Sequence, residues 1–276
     1  MNADELEDVL AVARDAAREA AALVRAGFRK HSVRANVEHK GAVDLVTSYD
    51  RDSERLLRER LAPLGIPFVG EELGGTRTPG GLALFVDPLD GTTNFVHGHP
   101  FWCVSIGLVD GDDPILGVVV APELDTEWWG FVAGDGTRAA VRRSHGVEEP
   151  CVVSPAERFD DAMLATGFPY DRRTSADNNF DAFVAIKKRV QAVRRCGSAA
   201  LDLCLVADGT YEGYWERKLK PWDLAGGAAI ARAAGARVTG FDAGAGFLAS
   251  GNIVATNARI HDALLAALAN VAPART

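Results

Sequence analysis

One segment holds most of the chemistry that can be read from this sequence: Phe85-Val86-Asp87-Pro88-Leu89-Asp90-Gly91-Thr92-Thr93-Asn94-Phe95. An apolar, β-forming run ends in two carboxylates separated by a proline and a leucine. Pro88 fixes its own φ and stiffens the exit from the strand, so Asp87 and Asp90 can point into one small volume. Two converging carboxylates repel unless cations sit between them, and hard cations such as Mg²⁺ take oxygen ligands. The amides and hydroxyls of Gly91, Thr92 and Thr93 suit a phosphate, because a helix start presents unpaired N–H groups. A turn plus a helix cap accounts for one aspartate and one threonine. It leaves the second acidic group, at the buried end of a strand, unexplained.

Other acidic positions share that character. Phe68-Val69-Gly70-Glu71-Glu72 ends a second strand in paired glutamates, which a solvated edge turn explains equally well. Lys220-Pro221-Trp222-Asp223-Leu224 puts an aspartate at the start of an Ala/Gly-rich helix, where capping is the simpler account. Asp50 lies in the first turn of its helix, where the helix dipole alone favours a carboxylate.

The elements that must position these groups follow from periodicity. Asp4 to Gly27 has helical spacing, and Lys30 to Gly41 reads as a loop or mobile hairpin. A second helix, capped by Thr47 or Ser48, ends at Pro63 and Gly65. Short strands follow at Ile66–Val69, Leu82–Val86, Trp102–Val109, Ile115–Ala121 and Glu127–Val132, which predicts an antiparallel sheet packed on the two N-terminal helices. Beyond Pro155 strands and helices alternate, with a first helix over Ala176–Arg189, as in an α/β half. The expected organisation is residues 1–153 as an α+β half with most of the acidic positions and 154–276 as an α/β half.

Composition narrows the function classes. The 276 residues are 47% hydrophobic and carry a net charge of −8 without any basic block, which speaks against a nucleic-acid or anionic-membrane surface. An acidic protein handling an anionic substrate needs metal ions or helix N-termini to neutralise it locally. Cys103, Cys151, Cys196 and Cys204 form no C-x-x-C pair and read as free thiols of a reducing compartment. The start of the chain is unlike a signal peptide and no apolar run nears the ~20 residues of a membrane span, so a cytoplasmic location is expected. Gly134-Asp135-Gly136 and Gly244-Ala245-Gly246 open G-x-G-x-x-A matches outside any strand-to-helix context, which argues against a dinucleotide fold. His97-Gly98-His99 reads as a polar turn, and Trp128-Trp129 as core or interface.

Gly70-Glu71-Glu72, the segment from Asp87 to Phe95, and Trp222-Asp223-Leu224-Ala225-Gly226-Gly227 together resemble the signature motifs of the inositol monophosphatase family. Asp44-Leu45-Val46-Thr47 and the stretch from Arg195 to Asp202 add to the likeness, which runs from about residue 5 to residue 270. The resemblance implies a layered αβαβα sandwich and a phosphoric monoester hydrolase with two to three Mg²⁺. Glu71, Asp87, Asp90, Asp223 and the Leu89 carbonyl would be the metal ligands. Thr92, paired with Asp50, would orient the attacking water, and Glu71 would hold the metal that supplies it. Gly91, Thr92 and Thr93 would hold the phosphate, Asp90 would also bind substrate, and Ser198, Ala199 and Glu216 would contact the substrate's ring hydroxyls. Lithium sensitivity and a homodimer are implied on the same ground.

The expected substrate is inositol monophosphate. The alternatives are histidinol phosphate, fructose 1,6-bisphosphate and a 3′-phosphoadenosine nucleotide. A rival outside enzymology is a binding role in RNA or transcription complexes, which the intact acidic set and the negative charge oppose. Two departures and one basic loop bear on substrate choice. Leu73 stands where a serine commonly follows the glutamates, and Gly134 to His145 lacks the usual glycine–aromatic–asparagine hairpin. Arg217, Lys218 and Lys220 read as solvated or interface charges; one facing the pocket would favour a substrate with more than one anionic group.

Overall fold

The chain's computed structural model describes residues 1–35, 37–39 and 45–271. Helix α1 (Ala3–Arg25) opens on a capping box: the Asn2 side chain accepts from the Glu5 amide and Glu5 reaches back to the Asn2 amide. Its buried stripe includes Leu6, Val9, Leu10, Ala13, Ala17 and Val24. A short helix, α2 (His31–Ala35), and strand β1 (Glu38–His39) take up parts of the polar stretch read as a loop or hairpin, and β1 pairs with β2 (Leu45–Val46) beyond it. Lys40, Gly41 and Asp44 lie outside the described residues. Helix α3 (Ser48–Leu61) is capped by Thr47 and gives way to a 3-10 turn closed by Gly65.

The seven-stranded sheet runs in chain order: β3 (Phe68–Gly70), β4 (Leu82–Asp90), β5 (Cys103–Asp110), β6 (Asp113–Ala121), β7 (Thr126–Val132), β8 (Arg138–Ser144) and β9 (Val147–Pro150), with helix α4 (Thr92–His97) between β4 and β5. One expectation needs correction. The sheet is not wholly antiparallel, because β3 and β4 pair in parallel; residues 71–81 carry the chain back to the start of the sheet. Gly134 to His145 is largely strand β8, a ladder partner of β7. Its polar sequence and β9 beside it, all four residues of which are exposed, suit a sheet edge, where charges block pairing with other chains.

The second sheet collects β10 (Met163–Thr166), β11 (Ala192–Arg194), β12 (Gly213–Glu216), β13 (Arg237–Thr239) and β14 (Ile253–Thr256) in the order β11-β10-β12-β14-β13. It is mixed: β10 runs parallel to β11 and β12, whereas β14 is antiparallel to β12 and β13. Its helices are α5 (Phe180–Lys187), α6 (Ala199–Ala207), α7 (Pro221–Ala233), α8 (Phe247–Ser250) and α9 (His261–Ala269). The helix expected from Ala176 starts only at Phe180. Asn179 sits at φ 72, and its side chain is spent on Thr166, Gly167 and Trp215.

The layers stack as expected. α1 and α3 cover one face of the seven-stranded sheet, α6 and α7 fill the space between the sheets, and α5 and α9 close the far face of the second. The middle layer is seated by glycine. Gly107, Gly117 and Gly130 are cross-strand neighbours on β5, β6 and β7, and α7 lies over that bare row through Gly226, Ile230 and Ala233. Trp128 and Trp129 are buried core residues, and Gly98 closes the turn after α4. The four cysteines are free thiols. Among the described residues no helix is long and apolar enough to cross a membrane.

Candidate active site

Strand β4 does not stop at Val86 but carries both aspartates within its ladder to β5. Asp87 pairs with Ser105 and Asp90 with Cys103, so two residues of β4 oppose one of β5. Along an unbroken strand residues three apart point to opposite faces. The extra residue of this bulge shifts the phase, and Asp87 and Asp90 line the same cavity. The Leu89 amide donates to Asp87 Oδ1 at 2.9 Å, and the Ser53 hydroxyl of α3 donates to the Pro88 carbonyl at 3.0 Å.

Gly91, at φ 93, turns the chain from β4 into α4. The Thr92 hydroxyl lies 3.0 Å from Asp50 Oδ1 and 3.1 Å from the Leu89 carbonyl. The other Asp50 oxygen accepts from the Thr47 amide (2.9 Å) and hydroxyl (2.6 Å). Asp50 is therefore both part of the cap of α3 and the partner of Thr92. Burial pushes its pKa up to about 6, against the pull of these donors.

Glu71 follows β3 in a turn held from α3. The buried Glu54 carboxylate accepts from the Glu72 amide at 2.6 Å and the Leu73 amide at 3.0 Å. A Cβ on Gly70 would stand 2.1 Å from Glu54 Oε1, so only glycine admits this clasp. Asp223 is not the N-cap residue of α7. Lys220 occupies that position, and Asp223, one turn in, accepts from the Lys220 amide at 2.8 Å.

These groups share a cavity of about 290 Å³ whose wall includes Glu71, Asp87, Leu89, Asp90, Gly91, Thr92 and, opposite, Ser198, Ala199, Glu216 and Asp223. Burial raises the pKa values of Asp87 and Asp223 well above the carboxylate range; Glu71 and Asp90 raise both further, and Asp223 does the same to Asp87. Asp90 is pushed up to about 6 by burial, opposed by the donors Ser198 and Ala200 and by the charge of Arg195. Among the described residues no lysine or arginine forms an ion pair with Asp87, Asp90 or Asp223, and no three of these groups already close on one point. Clustered hard oxygen donors are a donor set that fits divalent cations.

The remaining expected residues fall in several places. Glu216 lines the cavity, receives the Tyr214 hydroxyl at 2.6 Å, and is pushed up to about 7 by burial. Ser198 also reaches it, but its hydroxyl donates to Asp90 Oδ2 at 2.7 Å. Asp50 lies behind Thr92 rather than in the wall. Thr93 faces an adjoining cavity of about 440 Å³, lined also by Phe168, Tyr170, Arg172 and Arg195. Of the basic loop, Arg217 pairs with Asp177 and Lys218 with Asp171, so their charges are largely matched at the rim. Two contributors escaped the sequence reading. Glu54 could have been noticed as a charge at the helical spacing of Leu57 and Leu61. Arg195, which lines both cavities without a hydrogen bond or ion pair among the described residues, entered the sequence reading only as the start of a familiar stretch, with no role attached.

The inositol monophosphatase family model matches residues 5–273. The chain is 42% identical over 242 residues to an inositol-1-monophosphatase of Synechocystis sp., which spans 84% of this chain and 80% of that one. It is 34% identical over 264 residues to a fructose-1,6-bisphosphatase/inositol-1-monophosphatase of Aquifex aeolicus, covering 95% and 96% of the two. The solved inositol monophosphatase of Anabaena (Nostoc) sp. superposes with a TM-score of 0.83 at 36% identity, over 98% of both chains.

Proposed function

Since this chain belongs to the inositol monophosphatase family, whose members are phosphatases of phosphate monoesters, we propose that it releases phosphate from inositol monophosphate in a Mg²⁺-dependent reaction. The observation that carries the reading is the convergence of Glu71, Asp87, Asp90 and Asp223 on one cavity beside the Thr92–Asp50 pair. Those four carboxylates and the Leu89 carbonyl would hold two to three ions. When bound, Mg²⁺ neutralises a phosphate dianion, polarises the ester and lowers the pKa of water.

The chain's own groups do the rest. The start of α4, from Gly91 to Thr93, offers amides and hydroxyls to the phosphate oxygens. With its proton given to Asp50, the Thr92 oxygen keeps a lone pair to accept from, and so orient, an attacking water. Glu216 and the Ala199 amide face the alcohol portion, where a ring hydroxyl donates to one and accepts from the other. The two-half division at residues 153 and 154, cytoplasmic location, lithium sensitivity and a homodimer belong to the same proposal.

A second reading has its own support. Arg195 forms no ion pair among the described residues and stands at the junction of the two cavities, its charge felt by Asp90 and Glu216, which favours an ester with a second anionic group, such as fructose 1,6-bisphosphate or 3′-phosphoadenosine 5′-phosphate. It disfavours the cationic histidinol phosphate. The test is phosphate release from all four esters, with Mg²⁺ and with EDTA. Strong Mg²⁺-dependent preference for inositol 1-phosphate supports the first reading, and preference for a bisphosphate the second. Release that EDTA leaves unchanged overturns both.

A further inference from the structure

Asp90 is bound asymmetrically. It stands at the end of β4 with 9% of its surface exposed. Among the described residues every hydrogen bond to it falls on Oδ2: from the Ser198 hydroxyl at 2.7 Å, from the Ala200 amide at 2.8 Å, and a weak one from the Cys103 thiol at 4.0 Å. Oδ1 accepts none. Ser198 is itself 1% exposed, and its oxygen also lies 3.4 Å from the Leu201 amide, which it caps. Its only proton already belongs to Asp90. A substrate hydroxyl arriving at Ser198 would find neither a free donor nor much exposed surface.

We infer that Ser198 is a positioning residue for Asp90: its hydroxyl, with the first turn of α6, fixes one carboxylate oxygen and leaves the other turned to the cavity as a donor for a divalent cation. The inference rests on the proposal that the carboxylate cavity binds such cations. It departs from the expectation that Ser198 touches the substrate's ring. A carboxylate held through one oxygen loses its freedom to rotate, and the remaining oxygen is presented in one orientation. The holding groups come from a helix 108 and 110 residues further along the chain, so α6 must be docked before Asp90 is set.

The test compares the full-length wild type with S198A, S198G and S198T. Mn²⁺ serves as the probe, its binding followed by electron paramagnetic resonance of the free ion. Melting temperature in EDTA, and KM and kcat at saturating Mg²⁺, complete the set. Glycine is a near-neutral replacement at a helix N-cap, so S198G removes the hydroxyl with little loss of capping. S198A and S198G are expected to weaken Mn²⁺ binding by about 10-fold or more, the usual scale for losing a partner of a metal ligand, while S198T stays close to wild type. KM at saturating Mg²⁺ should barely move.

Unchanged Mn²⁺ affinity with a raised KM would mean that Ser198 contacts substrate, and the inference falls. Unchanged affinity with only a lower melting temperature would mean that it is a cap, and the inference falls again. If the wild type itself binds no Mn²⁺, the cation reading of the cavity fails and takes this inference with it. If wild type and S198A bind equally well, only the inference fails.

Discussion

Gly117→Ala is the sharpest test of how the site is held. Gly117 lies on β6, under α7 and outside the wall of the carboxylate cavity. Its missing side chain leaves room for the Gly226 carbonyl: a methyl there would sit 2.0 Å from that oxygen and 3.0 Å from Ile230 Cγ1. Ordinary contact begins near 3.4 Å, so helix and sheet must part by about 1.4 Å. The closer neighbour cannot yield by rotating a side chain, because it is backbone. Overpacking of this kind costs about 1–3 kcal/mol, and the rigid obstacle points to the upper end. At about 2–4 °C per kcal/mol for a chain of this size, melting should fall by roughly 6–12 °C. α7 carries Asp223, so the same shift moves a carboxylate of the cavity by on the order of 1 Å, enough to cost on the order of 100-fold in turnover. Phosphate release and a thermal melt measure both effects. Gly81→Ala, whose methyl meets nothing nearer than 3.4 Å, is the control. Wild-type melting and turnover in G117A would refute the claim that α7 is seated by the glycine row.

Other outcomes follow from the same structure. Asp90→Asn should abolish turnover while leaving circular dichroism unchanged; normal activity would remove Asp90 from the proposed cation site. Glu54→Ala removes the acceptor of the Glu72 and Leu73 amides; turnover should drop about 10-fold or more, with roughly 1–3 kcal/mol of stability lost, read by urea melts. In EDTA, stability should decline as pH rises from about 6.5 to 8, above the range in which buried His261, pushed down to about 4, gains stability as it deprotonates. The folded pKa values of Asp50 (about 6) and Glu216 (about 7) lie above their ordinary values, so their contribution is full below those ordinary values and is lost as pH climbs through the folded ones. Glu127, lowered by Arg18 and Arg14 despite its own burial, acts oppositely and only at more acidic pH. A flat stability profile across that window would contradict the assignment. Arg195→Ala should raise KM for a bisphosphate ester by a larger factor than for inositol 1-phosphate; equal changes would deny Arg195 a role in recognising a second anion.

Much of this arrangement was legible in the residues because the signals were local. The stripe of α1, the Thr47 cap and the short β-rich runs each report their own geometry. The acidic segment after Val86 announced that two carboxylates had to converge, but not how. The bulge that aims them depends on the partner strand, which no local pattern specifies. The parallel pairing of β3 and β4 is likewise a matter of where residues 71–81 return the chain. Strand β8 was hidden because a polar sheet edge looks like a loop. Glu54 stayed unread since its partners across the turn, the Glu72 and Leu73 amides, have no identity in sequence, and its pairing with Arg58 reads as an ordinary i,i+4 helix pair. Gly107, Gly117 and Gly130 look like scattered turn formers until the register aligns them into one track.

The bond between Asp90 and the start of α6 also bears on folding. The seven-stranded sheet is built from residues 68–150, yet Asp90 is anchored by amide and hydroxyl groups that the chain supplies far later. A nascent or partly melted molecule can therefore have that sheet complete and still lack the grip on Asp90. Cation binding then becomes a gauge of native docking: ions that bind only the finished arrangement stabilise it by mass action and leave earlier states untouched. Amide hydrogen exchange would register this as protection gained with Mg²⁺ in α6 and α7 ahead of the strands at the far edge of the sheet. Catalytic competence, on this account, is the last property the fold acquires and the first it gives up.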